Sequence, residues 1–226
     1  MARPDRSGRT LLASAITMLV AICCMTLSAA AQPAHDGTLP ANPHIRFTQA
    51  RPVNPQDQQR GERILAALKP VMEKYADYRA AEAAGYKGYY LDVPMPMYHF
   101  ASSWQGFKET MRFDPAAPTA LLYRKDAGRF ELIGVMYYAP GYFSEDQLNA
   151  RVPLSLVRWH RQIDICLPPG GAEAGSDKRF GSEGSITTEK ACAAAGGKWN
   201  PTLHGWMVEV YPSARTPARV WSYRPG

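Results

Sequence analysis

The chain has 226 residues with a formal net charge of +6, 46% hydrophobic residues and 20% charged ones, a balance that excludes a collagen-like, low-complexity or wholly disordered chain. The positive excess is dispersed and forms no basic run of the kind that nucleic-acid binding uses, so nucleic acid is not an expected partner.

Arg3, Arg6 and Arg9 precede an apolar run from Leu11 to Leu27, which leads into Ser28-Ala29-Ala30-Ala31-Gln32. A basic start, an apolar core and small residues before the cut predict a signal peptide over residues 1–31. The run falls short of the ~20 residues that span a bilayer, and no second run follows, so no stable membrane insertion is expected after cleavage. Ile22 and Cys23 are not the small residues expected before a lipidated cysteine. The expected address is periplasmic or secreted. Removing residues 1–31 takes away three arginines and one aspartate, and the remainder keeps a net +4.

Cys23 and Cys24 leave with that peptide, so Cys166 and Cys192 are the cysteines of the mature chain. Two cysteines in an oxidising compartment are expected to form a disulfide. The alternative is a free thiolate acting as nucleophile or ligand.

Residues 32–56 are rich in Pro, Asn, Gln, Ala and Thr without apolar period and read as a flexible lead-in. Residues 57–226 are expected to form a single domain. Its first part, 57–84, places Ile64, Leu65, Leu68, Val71, Met72, Tyr75 and Tyr78 at helical spacing, with Pro70 marking a kink or a break and Gly85 a C-cap. After Gly85, short Tyr, Val, Leu and Phe runs bounded by Pro and Gly have the composition of strands and turns. Residues 119–140 predict a hairpin turning at Asp126-Ala127-Gly128, and Ser144 with Gln147 predicts a capped helix.

Residues 154–167 fit a strand with Val157, Trp159, Ile163, Ile165 and Leu167 on one face. Residues 168–186 are Gly, Pro and Ser rich and predict a loop, and "TTEKACAAAGG" a short helix. In "GWMVEVYP" Trp206, Val208 and Val210 alternate with Met207, Glu209 and Tyr211. The fold class expected is α+β, N-terminal helices packed on a mostly antiparallel β-sheet.

The chain contains no G-x-S-x-G elbow, H-E-x-x-H pair, P-loop, haem C-x-x-C-H or dinucleotide fingerprint, so a familiar enzyme class is not indicated. The histidines remain. His35 and His44 fall in the lead-in, whereas His99, His160 and His204 each stand beside aromatic residues in "MYHF", "RWHR" and "LHGW". If their strands are neighbours, His99, His160 and Glu209 meet on one face, and two imidazoles with a carboxylate suit zinc, or iron with open positions. Met95, Met97 and His99, at alternate positions of "VPMPMYHF", offer thioether and imidazole to copper. The competing reading makes each histidine a satisfied member of a half-buried strand. Asp114, followed by proline, reads as a turn former rather than a catalyst.

"YHF" at 98–100, "FDPAAPTALLY" at 113–123, "LIGVMYYAP" at 132–140, "ARVPLSLVRWH" at 150–160, "CLPP" at 166–169 and "GWMVEVYP" at 205–212 resemble a group of uncharacterised exported bacterial proteins. The resemblance runs from about residue 60 to 212 and implies export but no particular activity. Members of the group often carry His where this chain has Glu209, which retains a potential ligand. The expectation is therefore an exported binding protein for a metal ion or small ligand at His99, His160 and Glu209. A metal-assisted, hydrolase-like enzyme and an envelope interaction module without a small-molecule site are the alternatives.

Overall fold

In the computed structural model residues 41–170 and 177–224 are described, and all of them belong to one compact unit. The expected signal peptide and His35 lie outside the described residues.

Strands β1 (Ile45–Phe47), β2 (Lys87–Gly88), β3 (Tyr98–Ala101), β4 (Ala120–Asp126), β5 (Arg129–Ala139), β6 (His160–Leu167), β7 (Lys198–Thr202) and β8 (Trp206–Val210) form one antiparallel sheet. Its order is β1-β6-β8-β5-β4-β3-β2, with β7 added to β6. Together with the helices this makes the fold α+β.

Of the flexible lead-in expected over 32–56, residues 32–40 lie outside the described ones, and β1 corrects the expectation for the rest. Ile45, Arg46 and Phe47 pair with Gln162, Arg161 and His160, and His44 and Thr48 beside them are buried. A three-residue edge strand is too short to show a period in sequence, and its partner lies more than a hundred residues away.

Asn54 caps α1 (Pro55–Lys74) by accepting from the Asp57 N–H. Pro70 sits inside this helix, which runs on to Lys74 without the break that proline could have caused. Four residues on, α2 (Tyr78–Ala83) ends at Ala84, and Gly85 takes the left-handed φ of +87° that a C-cap requires. Ile64, Leu68 and Val71 of α1 share one buried cluster with Phe100, Leu121, Tyr137, Val208 and other residues of the same sheet face. Tyr123 ties the two layers by donating its hydroxyl to the Tyr75 carbonyl, 2.6 Å away.

The β4–β5 hairpin turns at Ala127 and Gly128, both at positive φ, as a two-residue hairpin loop demands. Further on, α4 (Glu145–Arg151) begins with the Ser144–Gln147 capping box.

The strand expected over 154–167 starts only at His160. Leu154, Leu156, Val157 and Trp159 are buried in irregular chain before it. Asp164, at φ +55°, then upsets strict alternation, so Ile163 is half-buried while Ile165 and Cys166 are both buried.

α3 (Ser103–Met111) interrupts the stretch expected to hold only strands and turns. Its apolar side chains Trp104, Phe107 and Met111 are exposed and its one buried residue is Glu109, the reverse of the amphipathic pattern used to find helices. The terminal elements are α5 (Glu189–Ala194), capped by Thr188, and α6 (Pro217–Val220). Cys192 of α5 is disulfide-bonded to Cys166 of β6, Cα atoms 5.6 Å apart. Around the bridge Ile186, Phe180 and Trp199 form a separate small core.

Candidate functional site

The second face of the sheet carries the candidate residues. Alternation puts His99 and Ala101 of β3, Ala120 and Leu122 of β4, Met136 of β5, and Met207 and Glu209 of β8 opposite the face that meets the main core. Met136 pairs with Glu209, and Met207 pairs with His160 of β6. Glu209 and His160 are therefore diagonal neighbours on adjacent strands.

Four steps separate β3 from β6 in the sheet order, which in a flat sheet is about 19 Å. Long side chains bridge part of that span. The Tyr211 hydroxyl, just past β8, donates to Met97 Sδ, just before β3, at 3.6 Å. Gly134 makes room for this inward lean of Tyr211, since a Cβ there would stand 2.6 Å from the Val210 carbonyl oxygen and 2.7 Å from the Tyr211 ring. His99 reaches the same interior, where its charge would disfavour protonation of His160.

His160 and Glu209 are 4% and 5% exposed, and His160 Nδ1 lies 3.5 Å from Glu209 Oε2 without a hydrogen bond. That nitrogen has no other partner among the described residues. Burial pushes the Glu209 carboxyl up to about 8, its own backbone N–H pulling the other way. Burial, and then His99, push the His160 imidazole down to about 3. Both shifts favour neutral groups, since each charge would leave water for an apolar interior. His99 is likewise lowered by burial.

The ring of Tyr223 closes over the pair, 4.6 Å from the His160 ring and edge-on to it, and it also packs on Phe47 of β1 at 5.2 Å. Burial, and then Glu209, raise its hydroxyl.

His160 was expected to face away from Trp159, and it does: Trp159 belongs to the main core. The far face is buried too, which a single-strand pattern cannot reveal. His99 and Glu209 share that face. Met95 does not join them; it is 38% exposed, while Met97 packs with Met207 and Tyr211. His204 is exposed. His44, assigned to the lead-in, is buried with Nδ1 2.8 Å from the Asp164 carbonyl oxygen and Nε2 2.9 Å from that of Gly184. It pins the loop around Gly184 to β6. Asp114 makes a turn, its carboxylate accepting from the Ala116 N–H.

Sequence reasoning missed Tyr223, which belongs to no periodic element, and Glu109. The latter's carboxylate accepts from the Thr119 hydroxyl and, at 2.8 Å, from the Tyr138 N–H, with Oε1 unpartnered. Burial raises Glu109 to about 7, against those two hydrogen bonds and the nearby Arg151. These contacts anchor α3 by its polar side.

Among the described residues no three His, Cys, Asp or Glu side chains are gathered closely enough to hold a metal ion as they stand. No protein-family model, curated protein or solved structure matches the chain.

Proposed function

We propose that this is an exported binding protein whose second sheet face takes up a transition-metal ion between His160 and Glu209, with His99 as the third donor. The observation that supports it is the orphaned Nδ1 of His160, buried and facing Glu209 Oε2 at 3.5 Å with no hydrogen bond between them. Two donors on one tetrahedral zinc ion stand about 3.4 Å apart, given bonds of roughly 2.0 to 2.1 Å. A cation between the two atoms would satisfy the nitrogen and offset the buried charge of an ionised carboxylate. The imidazole of His99, or the thioether of Met97 or Met207, would have to turn toward the pair to complete the site, and thioethers favour copper over zinc.

The absence of a ready three-donor cluster among the described residues favours a second reading. In it the histidines are ordinary sheet residues and the protein is an envelope interaction module.

Calorimetric titration of zinc and of copper into the protein, His160→Ala and Glu209→Gln separates the two. On the metal reading one of the ions binds, and each substitution weakens it by roughly 100-fold or more. Affinity should rise about tenfold per pH unit up to about pH 8, because binding displaces the Glu209 proton. No binding of either ion, or equal affinities in all three proteins, overturns it in favour of the interaction module.

A further inference from the structure

α3 is turned inside out. Gly106 and Glu109 face the sheet: a Cβ on Gly106 would come within 3.4 Å of Thr119, and Glu109 holds Thr119 and the Tyr138 N–H. The opposite side exposes Trp104 at 63%, Phe107 at 59% and Met111 at 78%. Spaced i, i+3 and i+7, these three side chains make one apolar stripe along the outer surface of the helix. Trp104 and Phe107 stack on each other, ring centroids 5.7 Å apart. Scattered surface apolar residues need no explanation, but a continuous stripe on a helix that buries its carboxylate does.

Charge identifies the occupant. Lys108 and Arg112 are both exposed beside the stripe, and the Lys108 ammonium stands 5.9 Å from the Trp104 ring. The acid of the helix, Glu109, is withdrawn into the interior. The stripe offers roughly 400 Å² of apolar surface by the usual size of such side chains, about half of what one partner contributes to a stable protein interface. A two-fold contact between copies would also gather Lys108 and Arg112 of both helices around one patch, with the acid of each helix buried away from them. An exposed aromatic stripe beside cations matches the interfacial zone of an anionic bilayer. There the rings sit among the headgroups while lysine and arginine reach the phosphates.

We infer that α3 is a peripheral membrane-docking helix that seats Trp104, Phe107 and Met111 in the headgroup region of anionic lipid, with Lys108 and Arg112 on the phosphates. It lies on the membrane and does not cross it; no helix among the described residues is long and apolar enough to span one. The inference does not depend on the metal proposal, since α3 acts through its outer side.

Peptide-resolved hydrogen exchange on the full chain tests it, because the signal from residues 103–112 is separate from any contribution of the N-terminal apolar run. Phosphatidylcholine vesicles containing phosphatidylglycerol should slow exchange in this peptide severalfold, and pure phosphatidylcholine vesicles much less. The protection should disappear in W104S/F107S, and weaken in K108E and in high salt. Thermal melting of these variants should stay at the wild-type value, since the substituted side chains are exposed. The inference is overturned if the chain sediments with anionic vesicles while exchange at 103–112 is unchanged. It is equally overturned if protection appears without vesicles as protein concentration rises, the sign of self-association, or if only an acidic protein partner protects the peptide.

Discussion

Burial acts in opposite directions on the two members of the His160–Glu209 pair, and this sets a pH signature for the apo protein. The folded Glu209 carboxyl, at about 8, lies above its ordinary 4.5, so the folded state binds more protons than the unfolded one in between. Stability contributed by Glu209 is therefore complete below about pH 4.5 and is lost as pH rises to about 8. The folded His160 imidazole, at about 3, lies below its ordinary 6.5, so its contribution is complete above about pH 6.5 and is lost as pH falls to about 3. Between about 4.5 and 6.5 the two slopes oppose each other, and thermal melting should show a plateau there with declines on both sides. His99 adds to the acid decline, and Glu109, raised to about 7, gives up its contribution between about pH 4.5 and 7, which tilts the plateau and runs into the start of the alkaline limb. Glu209→Gln should accordingly shrink the alkaline decline without abolishing it. An unchanged alkaline limb in that variant would show that Glu209 is not protonated in the folded protein. His160 illustrates what was legible at this scale: alternation with Trp159 placed it on the second face, but only the strands paired around it bury that face.

Elements were legible where their own residues signal them. The Ser144–Gln147 capping box, the short helix in "TTEKACAAAGG" and the turn at Asp126-Ala127-Gly128 depend on bonds and dihedrals closed within a few residues, and the structure forms all three. α3 was not legible, because hydrophobic periodicity assumes that apolar residues turn inward, and here Glu109 does so instead. β1 was missed for another reason: its partner lies on β6, beyond any local window. The disulfide belongs to this scale too. It joins β6 to α5 across 26 residues of sequence separation, a loop whose closure stabilises the folded state by about 3.5 kcal/mol in the chain-entropy model. Cys192→Ser should lower stability by about that amount in urea melts. The loss should open β7 and α5 first, since the core at the bridge is separate from the two larger clusters. An unchanged denaturation midpoint would contradict a structural role for the bridge.

At the level of the whole molecule, the basic start, apolar run and small residues at 28–31 predict export with removal of residues 1–31. Intact-mass measurement of protein recovered outside the cytoplasm should give a chain beginning at Gln32, and retention of residues 1–31 would refute the prediction. The sequence by itself determined the α+β class and the sharing of one sheet face by Met207, Glu209 and Tyr211, and led to the expectation that Cys166 and Cys192 pair, because these follow from composition, period-two alternation and residue count. Tertiary structure alone decided that this face is buried, that β1 completes the sheet, that Tyr223 covers His160, and that α3 turns its aromatics outward. Each of these depends on strands or segments far apart in the chain coming together. A window of neighbouring residues carries no record of that.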